Sequence, residues 1–141
     1  MKIHHLGFVV SALEDSIPRF QEDYGLQACS PIFTDEVQKV RVVFLSHSQD
    51  SSETQIELIQ PLHSDSPVSA FLAKGGGLHH MAFGVKDIQA ESKRFGEKIK
   101  STMVCPPVPG AGHDNRLVSF FYMNQECPKG YLIELVELPP S

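Results

Sequence analysis

The chain has 141 residues, 41% hydrophobic and 21% charged, with a formal net charge of −5. That length suits one ordinary domain, 1–141, with a real core, and an acidic balance without any Lys/Arg cluster excludes a nucleic-acid partner. No apolar run is long enough to span a bilayer and no basic-then-apolar leader is present, so a cytoplasmic protein with no membrane role is expected.

Residues 2–10 alternate and are rich in β-formers, which predicts a strand. Ser11 to Glu14 is a Ser-x-x-Glu capping box; Leu13, Ile17, Phe20 and Tyr24 follow at helical spacing, and Gly25 closes the helix. Pro18 is tolerated there only if the helix starts late enough to place it near the first turn. A short strand is expected over 29–34, then longer ones over 37–45 and 54–62 around a Ser/Asp/Gln-rich turn. The first half, about 2–62, therefore reads βαβββ. Residues 63–76 form a linker: Ser66 followed by Pro67 starts a helix, Phe71 and Leu72 give it an apolar side, and Gly75-Gly76-Gly77 ends it.

The second half, about 77–138, repeats the plan. A strand is expected over 78–85, and Ile88, Ser92, Phe95 and Ile99 repeat the spacing of Leu13, Ile17, Phe20 and Tyr24. Strands follow at 102–105, 116–123 and 131–138. Residues 106–115 are a Pro/Gly-rich loop expected to border whatever the protein binds. The cysteines, Cys29, Cys105 and Cys127, are odd in number and lack a CxxC spacing, which fits reduced thiols.

The repetition extends to polar residues in apolar surroundings. His5-Leu6-Gly7-Phe8-Val9-Val10 recurs as His80-Met81-Ala82-Phe83-Gly84-Val85, and Gln55-Ile56-Glu57-Leu58-Ile59 as Leu132-Ile133-Glu134-Leu135-Val136. Alternate strand residues share a face. Leu6, Phe8 and Val10, with Met81, Phe83 and Val85, form the bulky rows that cover the helices. The opposite rows set His5 and His80 among small residues, and Glu57 and Glu134 fall on the same side by the same parity. His4 and His79 fall on the helix-covered side. A carboxylate buried in a run such as Ile-Glu-Leu is costly unless compensated, and two imidazoles with two carboxylates suit a divalent metal. A Glu–His hydrogen-bond network without metal is the alternative.

These residues carry a family resemblance. With Pro61-Leu62, Asp65-Ser66-Pro67-Val68, Phe71-Leu72, Gly77-Leu78-His79-His80-Met81-Ala82-Phe83, Val85, Asp87-Ile88 and Gly130-Tyr131-Leu132-Ile133-Glu134-Leu135, the whole chain resembles the vicinal oxygen chelate superfamily. That group includes glyoxalase I, extradiol dioxygenases, bleomycin-resistance proteins and methylmalonyl-CoA epimerase, and the epimerase branch is the most similar. The resemblance implies an α+β fold in which two tandem βαβββ modules form an open, curved, eight-stranded mixed sheet around a groove. It implies one divalent ion (Co, Ni, Mn, Zn or Fe) on His5, Glu57, His80 and Glu134, a small-molecule substrate of the acyl-CoA thioester kind, and a homodimer. Glu134 and Glu57 become the candidate catalytic carboxylates for removing a proton beside an activated carbonyl.

Two departures from the epimerase pattern stand out. Where some family members carry a second Glu on the third strand, Val42 occupies the position. The pattern's His-Pro after the loop is absent from Leu117-Val118-Ser119-Phe120-Phe121-Tyr122-Met123-Asn124, where Phe120 or Tyr122 either lines the groove or packs on the helices. His113 and Asp114 either touch substrate or lie in solvent. A glyoxalase I-like lyase and a non-catalytic small-molecule-binding protein of the resistance type are the competing functions.

Overall fold

The computed structural model describes residues 1–50, 52–99 and 101–140. These hold nine strands and three helices in an α+β arrangement. The chain divides into two compact units, His5–His79, and Met1–His4 together with the chain from His80 onward.

In the unit His5–His79, β1 (Lys2–Val9) leads into α1 (Leu13–Tyr24), and β2 (Gln27–Ala28), β3 (Phe33–Asp35), β4 (Val40–Ser46) and β5 (Gln55–Pro61) follow. The order is β2-β4-β5-β1, with β3 also pairing β4. β1 runs parallel to β5 and β4 antiparallel to it, so the sheet is mixed. Leu13 of α1 is buried with Val43, Leu45 and Leu58 of the sheet, with Phe8, Val10, Ile17, Phe20 and Ile56 packed around them. Each such side chain removed from water contributes about 1.5–3 kcal/mol, which commits this face of the sheet to the helix.

Side-chain hydrogen bonds move three predicted boundaries. α1 begins after Ala12 without the Ser11 box, because the Leu13 N–H donates instead to Gln60 Oε1 on β5 at 2.9 Å. Pro18 remains inside the helix, where it supplies no N–H for the Glu14 carbonyl. The single strand expected over 29–34 is split in two, which raises the strand number from eight to nine. At the break the Phe44 N–H donates to the Ser30 hydroxyl at 2.9 Å and Pro31 has no N–H to offer the ladder. β4 starts late because Asp35 Oδ1 accepts from both Val37 and Gln38 N–H, each at 2.9 Å, folding 35–39 into a turn.

The linker helix is also shorter than expected. α2 covers Ser69–Ala73, and Ser66 and Pro67 lie in the turns before it. Gly76 ends the segment at φ 67°, where a Cβ would stand 2.7 Å from the Val9 carbonyl oxygen. Only glycine passes β1 that closely.

The second unit contains β6 (Gly77–Val85) from His80, α3 (Ile88–Glu97), β7 (Thr102–Pro109), β8 (Leu117–Met123) and β9 (Tyr131–Glu137). Their order is β6-β9-β8-β7, with β6 parallel to β9 and the other pairs antiparallel. Asp87 caps α3 by accepting from the Ala90 N–H at 3.0 Å. Val85, Ile88, Phe95, Phe121, Met123, Ile133 and Leu135 form the core beneath α3. β7 runs on through Pro106, Pro107 and Pro109, where a loop was expected. It stands at the end of its unit's strand order and is broken by two register shifts, the settings in which a strand accepts proline. The loop is confined to the turn after Pro109, with Asp114 and Asn115 at φ 51° and 62°.

Candidate functional site

Register places the first His–Glu pair. Gly7 lies opposite Glu57 across β1 and β5, so the missing side chain leaves room above the carboxylate. His5 Nε2 stands 3.3 Å from Glu57 Oε1, and the two residues are 0% and 6% exposed. Phe44 is the cross-strand partner of Glu57 on β4, and its ring meets that of His5 at 5.4 Å between centroids.

The second unit repeats the construction. Ala82, again small, lies opposite Glu134, and Phe120 lies opposite Glu134 on the other side. His80 Nε2 stands 3.0 Å from Glu134 Oε1, each residue 4% exposed. The rings of His80 and Phe120 meet at 5.6 Å. A carboxylate this deeply buried is tolerated only with charge or hydrogen-bond compensation, and each unit supplies an imidazole at the carboxylate itself. Within each unit, therefore, an imidazole nitrogen and a carboxylate oxygen converge in a buried position, the donor types that divalent first-row metals take.

The other candidates fall elsewhere. His79 packs against Phe71, ring centroids 4.9 Å apart, and His4 against His113 at 5.7 Å. His113 is buried whereas Asp114 is exposed, so only the carboxylate of that loop pair lies in solvent. Gly110 makes the space: a Cβ there would reach 3.0 Å from His113 Cδ2. Val42 is buried opposite Ile59, and Glu57 is the one buried carboxylate of its unit among the described residues. Phe120 lies on the Glu134 side, whereas its neighbour Phe121 packs beneath α3. Tyr122 donates its hydroxyl to the Lys129 carbonyl, above Gly130. Partial burial pushes the Cys105 thiol up, which leaves it a poor nucleophile at neutral pH. Sequence reasoning missed Phe44, because its place beside Glu57 depends on register.

Residues 4–122 match the Glyoxalase/Bleomycin resistance protein/Dioxygenase superfamily. The chain belongs to that superfamily. Among the superfamily's relatives, the Bacillus subtilis protein YqjC, uncharacterized, is 30% identical over 96% of this chain and 91% of its own. The mitochondrial methylmalonyl-CoA epimerase of Dictyostelium discoideum is 28% identical over 96% of this chain and 78% of its own. In structure, a Glu-to-Gln variant of Streptomyces coelicolor methylmalonyl-CoA epimerase in complex with 2-nitronate-propionyl-CoA superposes with a TM-score of 0.83 at 26% identity, over 99% of both chains. This superfamily member has no helix, among its described residues, long and apolar enough to cross a membrane.

Proposed function

We propose that this chain is a metal-dependent epimerase or isomerase of the methylmalonyl-CoA epimerase kind, acting on a proton α to the carbonyl of an acyl-CoA thioester. In this reading His5, Glu57, His80 and Glu134 together hold one divalent ion, Co, Ni, Mn, Zn or Fe. The observation that carries the reading is the repeated, buried His–Glu pair, with Nε2–Oε1 separations of 3.3 and 3.0 Å, in a chain whose relatives include methylmalonyl-CoA epimerases. A bound ion supplies Lewis-acid stabilisation of the charge that develops on the thioester oxygen.

The proton itself is moved by the protein. Glu134 is the candidate base, buried and oriented by His80. Epimerisation needs proton transfer at both faces of a planar intermediate, so a second acid–base group must serve the opposite face. With Val42 at the β4 position, that role falls to Glu57, which can serve it only by leaving the metal. The three free cysteines suit a reducing compartment, in keeping with a cytoplasmic enzyme.

Elemental analysis of untagged protein purified without chelator is the first test, followed by exchange of the α-proton of methylmalonyl-CoA in heavy water. Close to one transition metal per chain with exchange supports the reading. Metal with glutathione-dependent activity and no thioester exchange replaces it with a glyoxalase I-like lyase. Failure to take up Co, Ni, Mn or Zn leaves a small-molecule-binding protein.

A further inference from the structure

Each His–Glu pair is flanked by the same aromatic residue in the same place. Phe44 and Phe120 are the cross-strand partners of Glu57 and Glu134. Their rings stand at 78° and 85° to the imidazoles of His5 and His80. In both pairs the nitrogen that faces the carboxylate is Nε2. The outer torsion of a histidine is broad, so the imidazole's own geometry does not fix the plane of its ring. A phenyl ring packed edgewise against each imidazole, carried on the strand beyond the glutamate's, does restrict that plane, because swinging the imidazole out of it would bring the two rings into collision.

We propose that Phe44 and Phe120 are positioning residues that lock the planes of the two imidazoles beside the glutamates. The proposal rests on the metal reading above for its consequence, tighter binding of the ion, but the lock itself exists without metal. Ligand-orienting contacts of this kind are worth about 10–100-fold in metal affinity when made by hydrogen bonds. Here packing performs the same service, and it is duplicated with the rest of the module. The next residue, Phe121, provides an internal control. It points to the opposite face and packs on Phe95 at 5.1 Å between centroids.

The test compares Phe120→Leu with Phe121→Leu in the full chain. Co(II) affinity is measured by competition with a chelator, the metal-free melting temperature by calorimetry, and the imidazole resonances by long-range proton–nitrogen spectra of metal-free protein. Phe120→Leu is expected to weaken Co(II) binding about 10-fold or more, to average the His80 ring signals and to leave the metal-free melting temperature close to wild type. Phe121→Leu is expected to lower the melting temperature and leave both Co(II) affinity and the His80 signals unchanged. An unchanged His80 spectrum in Phe120→Leu, or an equal change in Phe121→Leu, overturns the lock. Wild-type protein that ignores Co(II), Ni(II), Mn(II) and Zn(II) alike yet shows the Phe120-dependent His80 signal overturns the metal reading and leaves the lock standing.

Discussion

At the scale of single residues, the environment of each histidine separates four imidazoles that look alike as letters. His5 and His80 meet buried carboxylates, whereas His4 and His79 meet other rings. Replacing His80 by Ala or Glu134 by Gln is therefore expected to abolish metal binding and turnover. His79→Ala is expected to keep metal occupancy near wild type, since it leaves both His–Glu pairs in place. Metal content per chain of the three purified variants checks this, and equal loss in all of them would defeat the face assignment. Strand alternation alone separated these histidines, because side chains two apart must share a face. Phe44 was not legible in the same way, since its position beside Glu57 is a matter of which residues pair.

At the scale of elements, a long-range contact decided where α1 begins. Gln60 receives the Leu13 N–H at 2.9 Å and the Arg41 guanidinium at 3.2 Å, so a β5 side chain caps α1. Gln60→Leu is expected to cost about 1 kcal/mol, the usual worth of an N-cap, read as a shift in the urea midpoint. A second element-level constraint lies in the β8–β9 connection. Gly130 has φ 79°, and a Cβ on it would stand 2.1 Å from the Tyr122 hydroxyl. Gly130→Ala is expected to destabilise by more than about 1 kcal/mol. Adding Tyr122→Leu should recover part of that loss, whereas strictly additive effects would show that the ring is not the obstacle. The Ser-x-x-Glu box at Ser11 was a sound local signal that a distant glutamine displaced, and the prolines of β7 misled because proline is excluded from strand interiors but not from edges.

At the scale of the whole molecule, the proposed ligands come from both halves of the chain, His5 and Glu57 from one and His80 and Glu134 from the other. An ion bound only by the folded protein stabilises it by about 4 kcal/mol at a thousandfold excess over Kd. For a chain of this size that corresponds to a rise in melting temperature of roughly 10 °C. Calorimetry with and without Co(II) checks it, and a chelator should reverse the shift. A rise of the same size in His80→Ala would show that the metal binds elsewhere.

The sequence by itself determined the duplicated plan, the side of each strand that faces the helices, and the pairing of one His with one Glu in each half. These follow from periodicities of two and about 3.6 residues, which are local and are written into the order of the letters. Only the tertiary structure decided register: that Gly7 and Ala82 stand opposite the glutamates, that Phe44 and Phe120 flank them, and that Gln60 sets the start of α1. Register depends on which of several similar apolar strands lie side by side and at what offset, a choice made by packing between distant segments.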